Sequence, residues 1–175
     1  MFQQHTLESA PEKSARMMRQ TEAHFGYVPA GVSLLAESPE MLEGFLKANA
    51  LFEASTLDPL SREVLVMTVA VRNGCHLCIA LHTARLRGLT DAGTTEALRT
   101  GEPLVEPRLE AVRVFTLKVL ETAGGVPDSD LEAFLAAGYT LRNALEVVLG
   151  IGTYTMSTFA NRLTDAPVDA QLTAH

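Results

Sequence analysis

Apolar residues recur at helical spacing along most of the chain, and capping residues bound the segments that they mark. The pattern predicts helices over about 11–24, 30–36, 38–52, 58–72, 75–87, 90–99, 106–124, 127–137 and 139–163. No segment alternates convincingly as a strand would. We therefore expect an all-α fold and a single domain over 1–175, with a core of about 25–163 and loosely ordered tails.

The segment 58–72 has the clearest helix signal. Asp58 is a favoured N-cap residue and Pro59 suits the first helical position. Residues 64–71 are apolar on all sides except Thr68, which predicts a buried helix. A strand is the competing interpretation, but the length of the segment and its link to capped helices argue against it.

Composition and charge exclude several classes of protein. Apolar residues make up 47% of the chain and charged residues 20%, as in a globular protein with a sizeable core. There is no apolar run long enough for a membrane span, and the first residues lack a signal-peptide pattern, so we expect a cytoplasmic protein. The net charge of −7 argues against a nucleic-acid partner.

Both cysteines of the chain lie in one C-x-x-C motif, and this motif is the strongest indication of chemistry. Cys75, Cys78 and His82 fall within an arc of about 60° on a helix that advances 100° per residue. The two thiols can close a disulfide, and His82 lies one turn from Cys78 and can contact it. Glu63, twelve residues before Cys75, can reach the motif only through helix packing.

Several interpretations of the motif compete. Haem attachment requires histidine directly after the second cysteine, where this chain has Ile79. Structural zinc could use Cys75, Cys78, His82 and Glu63, but closed zinc sites more often draw two ligands from each of two segments. Thioredoxin-like chemistry expects a βαβ setting. The remaining interpretations are two core cysteines beside a hydrogen-bonded histidine and, as we favour, a redox-active dithiol with its own base.

The spacing E-x11-C-x2-C-x3-H, which here is Glu63, Cys75, Cys78 and His82, resembles that of the AhpD-like alkylhydroperoxidases. These proteins form a branch of the carboxymuconolactone decarboxylase superfamily. The resemblance implies a thiol-dependent peroxidase with no bound cofactor or metal, whose redox-active disulfide Cys75–Cys78 is reset by an external dithiol. It also implies a lipoyl-bearing partner protein or a peroxiredoxin as partner, and a homo-oligomer, a trimer or hexamer.

Local reasoning leaves open which cysteine attacks the peroxide. The start of a helix favours thiolate at Cys75, whereas the neighbouring base His82 favours Cys78. The resemblance implies Cys78, activated through His82 and Glu63 by a proton relay that can include water.

Other polar residues of the chain are weaker candidates for a functional role than the motif. His76 lies between the cysteines but about 100° around the helix from Cys75, so it either tunes the thiols or contacts substrate, or is simply solvated. The segment 141–149 echoes 60–66, with Glu146 in the place of Glu63, which suggests two diverged helical halves. Thr158 and Asn161 would then stand where the cysteines do. Side chains at the termini or beside a break are expected in solvent: His5, His24, Arg72 and His175.

Two rival functions remain at this stage. A cysteine-independent lyase like carboxymuconolactone decarboxylase would need base and anion-binding groups but no thiols. An oligomeric metal-binding or ligand-binding protein would use the same residues without turnover. Titration of the thiols with and without a chelator separates these classes, because a chelator would release thiols that zinc had masked.

Overall fold

The computed structural model describes residues 2–173 and contains, over that range, ten helices and no strand, which confirms the predicted all-α fold. The helices are α1 (Glu12–Phe25), α2 (Ala30–Leu35), α3 (Pro39–Glu53), α4 (Pro59–Arg72), α5 (His76–Leu86), α6 (Ala92–Thr100), α7 (Pro107–Thr122), α8 (Asp128–Ala136), α9 (Leu141–Leu163) and α10 (Ala170–Thr173).

The predicted helix starts owe their positions to side-chain caps. Asp58 accepts a hydrogen bond from the backbone N–H of Ser61 at the start of α4, and Ser38 accepts one from Met41 at the start of α3. Thr140 forms a reciprocal capping box with Asn143 at the start of α9. These caps satisfy N–H groups that have no partner within the helix, which is why the starts can be read from local sequence.

Helix α4 is the centre of the fold and packs against α5, α6, α7 and α9. Val64, Leu65 and Met67 are completely buried, as the apolar composition of this helix predicts. The close approach of α9 depends on Gly150, where a Cβ atom would lie 2.9 Å from the side chain of Leu65 in α4 and 2.5 Å from the ring of Phe52 in α3. A short distance between α4 and α9 brings the second half of α9 over the cysteine motif.

The described residues of both terminal segments contact the body of the protein. The imidazole of His5, expected in solvent, bonds to the Glu37 carboxylate at 2.8 Å. At the other end, Ala166 and Leu172 pack against the cluster that contains both cysteines. The polar composition of the C-terminal segment does not predict this contact, which is made by the two apolar residues within it. The exposed position predicted for His175 lies outside the described residues.

One face of α9 is apolar and faces solvent. Its large side chains are 50–73% exposed and recur along the whole helix: Leu141, Leu145, Val148, Phe159 and Leu163. Within residues 2–173, no single helix is long and apolar enough to cross a membrane; α8 and α9 meet that test only together, across a bend of 108°. A contiguous exposed apolar face on a protein is typical of an interaction surface.

We expect this face of α9 to bind a second copy of the chain, since its three-and-four-residue spacing is complementary to itself. Leu145→Glu combined with Phe159→Glu should lower the mass of the assembly, as measured by light scattering at micromolar concentration. Val105→Glu is the matched control, because Val105 is fully exposed elsewhere on the surface. A monomeric mass for the unaltered protein would contradict the expected homo-oligomer.

Candidate active site

The turn between α4 and α5 positions both cysteines. Gly74 adopts φ 64°, a left-handed conformation that favours glycine, and directs the chain back so that the Cys75 N–H bonds to the Ala70 carbonyl. The predicted start of the helix at Cys75 needs a small correction, because Cys75 is the N-cap and α5 begins at His76. Its sulfur accepts a 3.4 Å hydrogen bond from the backbone N–H of Cys78.

The two cysteines are free thiols whose sulfurs lie 2.9 Å apart and share a hydrogen bond. Cys75 is 2% exposed and Cys78 is 4% exposed. A disulfide requires sulfurs about 2 Å apart, so a small adjustment of the side chains would close one. The arrangement can therefore lose and regain two electrons without a change of fold.

The negative charge of the pair is favoured on Cys75. The hydrogen bond from Cys78, together with backbone N–H donors of the first turn, lowers the pKa of the Cys75 thiol to about 7. The same hydrogen bond and burial raise the pKa of Cys78. The pair thus holds one proton between two sulfurs near neutral pH, with that proton on Cys78.

Packing of α4 against α5 brings the Glu63 carboxylate to His82. This agrees with the expectation that Glu63 can reach the motif only through helix packing. The Oε2 atom of Glu63 lies 2.6 Å from Nδ1 of His82, and both side chains are buried. A carboxylate at Nδ1 orients the imidazole and stabilises its charged form. The other ring nitrogen, Nε2, is left for proton transfer.

Arg85 extends this pair into a charged network. Its guanidinium lies 3.3 Å from Oε1 of Glu63 and 3.3 Å from Oε1 of Glu53. Burial alone would raise the pKa of the Glu63 carboxyl, but the charges and hydrogen bonds of His82 and Arg85 outweigh it and hold that pKa below its ordinary value. Glu63 is therefore ionised at neutral pH.

The expected direct contact between Cys78 and His82 is not a hydrogen bond in the structure. Among residues 2–173, the imidazole bonds to Glu63 alone, and its ring packs edge-on against Tyr154 with centroids 5.3 Å apart. Glu63 and Tyr154 together fix the orientation of the His82 ring. In this orientation the ring forms no hydrogen bond to Cys78, although Cys78 lies one helical turn away. Both Cys78 and His82 line the same cavity, so a proton can pass between them through that space.

Helix α9 contributes contacts to the cysteine motif from a segment about eighty residues away. The side-chain N–H of Asn161 donates to the Cys78 sulfur at 3.4 Å. One turn earlier, Thr158 accepts a 2.9 Å hydrogen bond from the side chain of Asn73. Arg162 donates to the Asn73 carbonyl at 2.7 Å. Of the two residues that the repeat places where the cysteines stand, Asn161 contacts Cys78, and Thr158 contacts Asn73 in the turn before Cys75.

A cavity of about 360 Å³ opens beside the motif. Cys78, His82 and Arg85 lie on one wall, whereas Cys75 does not line it. The facing walls carry mainly apolar side chains from α1, α2 and α3, including Met17, Val32, Leu35, Phe45 and Leu46. A ligand in this space meets the Cys78 thiol, the imidazoles of His82 and His24, and a mainly apolar surface.

Two polar residues considered from sequence lie outside the cavity wall. His76 is exposed at the first turn of α5, and Arg72 is exposed at the end of α4, where solvent was the expected surrounding. In the part of the chain that the structure describes, no three His, Cys, Asp or Glu side chains come together in an arrangement suited to a metal ion. Glu63 instead uses its oxygens on His82 and Arg85.

Sequence reasoning missed Arg85, Tyr154 and the contact of Asn161 with sulfur. Arg85 lies three residues after His82 on α5, so its position near Glu63 had a local signal in helical spacing. Tyr154 and Asn161 had none, because only the packing of α9 brings them to the motif. Phe45 and Leu46 of α3 line the cavity, which their helical spacing alone does not indicate.

Several solved structures share this fold. A crystal structure of an alkylhydroperoxidase AhpD core, an uncharacterized peroxidase-related protein from Ralstonia eutropha JMP134, aligns with a TM-score of 0.87 at 20% identity over 98% of this chain and 93% of that chain. An uncharacterized peroxidase-related protein from Silicibacter sp. TM1040 aligns with a TM-score of 0.78 at 22% identity, over 94% and 89%. A debrominase, Bmp8, in complex with 2,3,4-tribromopyrrole aligns with a TM-score of 0.79 at 14% identity, over 99% and 94%. What these similarities establish is the AhpD-like fold.

The sequence itself also matches a family. Residues 37–115, which include all four residues of the motif, match the Carboxymuconolactone decarboxylase family. No curated protein sequence matches the chain. The family match over residues 37–115 and the AhpD-like fold both support the resemblance found in the motif.

Proposed function

We propose that the protein is a thiol-dependent peroxidase that reduces organic hydroperoxides through Cys75 and Cys78. The observation that carries this proposal is a free thiol pair, 2.9 Å apart, with one member on the wall of a cavity. Neighbouring structures of peroxidase-related proteins support it through their shared fold. A reducing compartment such as the cytoplasm, where the pair is returned to thiols, belongs to the same proposal.

The first step is attack by the Cys78 sulfur on the terminal oxygen of the hydroperoxide. Cys78 attacks because it lines the cavity, whereas Cys75 lies beneath it. The Cys78 proton passes to His82, which lines the same cavity. The O–O bond breaks, Cys78 becomes a sulfenic acid, and the alkoxide takes a proton from His82 and leaves as alcohol.

The second step closes the disulfide. Cys75 attacks the sulfenic sulfur of Cys78, and hydroxide leaves as water once protonated. One hydroperoxide and two thiols have then become one alcohol, one water and one disulfide. An external dithiol, for which a lipoyl group on a partner protein or a peroxiredoxin system is the proposed biological source, must return two electrons by thiol–disulfide exchange.

His82 and Glu63 manage the proton in this scheme. Glu63 fixes His82 through Nδ1 at 2.6 Å, which leaves Nε2 to accept and return the proton. Arg85 helps to keep Glu63 ionised. The apolar cavity of about 360 Å³ favours an organic hydroperoxide over hydrogen peroxide, because burial of the organic group adds binding energy.

The proposal is tested by the mass and the turnover of the protein. Mild oxidation with an organic hydroperoxide should lower the intact mass by about two hydrogens, and a dithiol should restore it. Turnover should require a dithiol, and an assay with dihydrolipoamide, thioredoxin or a monothiol identifies the effective class of reductant. Two free thiols that persist after peroxide treatment would exclude this function.

Reductive debromination is a second candidate. It is favoured by the shared fold with a debrominase in complex with 2,3,4-tribromopyrrole, together with an apolar cavity beside a dithiol. Two thiols would replace a C–Br bond by C–H, with release of bromide and a proton and formation of the disulfide. Bromide release from bromopyrroles, measured beside peroxide consumption, decides between the two substrates.

Thiol blockade distinguishes both redox functions from the rivals considered in the sequence. An alkylated pair would stop peroxide reduction and debromination, whereas a lyase like carboxymuconolactone decarboxylase would continue. A metal-binding protein would release masked thiols on addition of chelator. The same preparation of protein serves all three measurements.

A further inference from the structure

We propose that Asn161 is a catalytic residue, whose side-chain N–H donates to the Cys78 sulfur and stabilises negative charge there as the proton leaves. The inference rests on the proposed peroxidase function in naming Cys78 as the reacting atom. The contact itself is a 3.4 Å hydrogen bond from Nδ2 of Asn161 to Sγ of Cys78. Asn161 lines the same cavity as Cys78, so the donor stands beside the place where peroxide meets sulfur.

The burial of the pair makes such a donor necessary. Cys78 is only 4% exposed, so water contributes little to the solvation of its thiolate. A buried charge without hydrogen bonds is strongly disfavoured. The backbone N–H of Cys78 is directed to Cys75, not to its own sulfur. Helix α9 supplies the side-chain donors: Asn161 donates to this sulfur at 3.4 Å, and a hydrogen bond from the Ser157 side chain acts on the pKa of Cys78 in the same direction.

The amide is held in position by its neighbours on α9. Thr158 and Arg162 both bond to Asn73, at the turn that precedes the cysteines. These two contacts fix α9 relative to the motif on either side of Asn161. A donor held in this way needs no reorganisation when charge develops on sulfur, which is the arrangement that stabilises a transition state.

A purely structural role explains the amide poorly. Asn161 is 7% exposed, and its Oδ1 atom is buried without a hydrogen-bond partner. An apolar side chain would fill this position without the cost of an unsatisfied acceptor. Gly31 leaves the space for the amide, since a Cβ atom there would lie 2.9 Å from Oδ1. The buried, unsatisfied Oδ1 atom makes an amide unfavourable at this position. The hydrogen bond from the amide N–H to the Cys78 sulfur explains why an amide is nevertheless present.

The test uses Asn161→Leu in a Cys75→Ser background, where Cys78 is the remaining thiol. The fraction of thiolate at neutral pH, followed by ultraviolet absorbance during a pH titration, should fall by about 10- to 100-fold, the worth of a hydrogen bond to a charged group. The rate of sulfenic acid formation with an organic hydroperoxide should fall by the same factor. The titratable groups that face the pair remain in every variant: Glu63, His82, Arg85, Tyr154 and Asp169.

Two further variants separate this role from packing. Gly31→Ala leaves the amide in place chemically but presses on Oδ1, and should shift the titration in the same direction by a smaller amount. Thr153→Val is the matched control on α9, because the buried Thr153 hydroxyl bonds to the Leu149 carbonyl within the helix and does not line the cavity. It should leave the thiolate titration unchanged.

An unchanged titration in Asn161→Leu would overturn the proposal. If that variant does not fold, a folded Gly31→Ala protein with the titration of the parent overturns it equally. A shifted titration in a protein that reduces no hydroperoxide would instead overturn the peroxidase function and support Asn161 as the donor to Cys78. The experiment therefore distinguishes failure of the Asn161 proposal from failure of the proposed peroxidase function.

Discussion

Cys78→Ser should abolish the reduction of organic hydroperoxides. The serine hydroxyl is far less nucleophilic than a thiolate, and Cys75, which keeps its sulfur, does not line the cavity. Rapid mixing with an organic hydroperoxide, followed by trapping of sulfenic acid, measures the loss. Cys75→Ser is the matched variant, because it should react once and stop at a trappable sulfenic acid on Cys78.

Two properties that favour attack on the peroxide are divided between the two cysteines. The lower pKa belongs to Cys75, at about 7, whereas access to the cavity belongs to Cys78. If Cys78→Ser accumulates sulfenic acid and Cys75→Ser loses the fast reaction, charge has outweighed access and the roles are exchanged. If both single variants retain full turnover, the dithiol mechanism is wrong.

His82→Ala and Glu63→Gln should each slow peroxide reduction by roughly 10²–10⁴, the usual contribution of a positioned acid–base group. The physical reason is the 2.6 Å bond between them, through which the carboxylate orients the ring and stabilises its charge. Single-turnover kinetics of both variants and of the double variant measure the effect. The double variant should be no slower than the worse single variant, because both residues act on one proton path.

Glu53→Gln is the matched control for Glu63→Gln. Glu53 bonds to the same guanidinium of Arg85 at 3.3 Å but has no hydrogen bond to His82. Its substitution should therefore change the rate only slightly. Equal effects of the two substitutions would show that overall charge near Arg85, and not the orientation of His82, governs the reaction.

Much of the fold could be predicted because its signals are local. The starts of α3, α4 and α9 depend on caps within three residues, and Gly74 marks the left-handed turn before the cysteines. Apolar composition alone predicted that α4 is buried. The spacing of Cys75, Cys78 and His82 on one helix likewise follows from a constant rotation per residue.

The rest of the site depends on contacts between distant segments. The sequence indicated that Glu63 must reach the motif through helix packing, but it gave no distance between Glu63 and His82. In the structure, the imidazole of His82 bonds to Glu63 and not to Cys78. Tyr154 and Asn161 arrive because α9 crosses α4 closely at Gly150. Periodicity within a helix carries no information on such a crossing, which depends on the shapes of two packed surfaces.

The packing of the C-terminal segment affects the order of events in a catalytic cycle. Ala166 and Leu172 cover part of the cysteine cluster, and Asp169 of the same segment lines the cavity beside Cys78. In the proposed peroxidase, the hydroperoxide and the dithiol would then reach Cys78 through this cavity, one after the other. Such a protein alternates between two half-reactions in a ping-pong sequence, and a bulky substrate in excess inhibits its own turnover by keeping the reductant out.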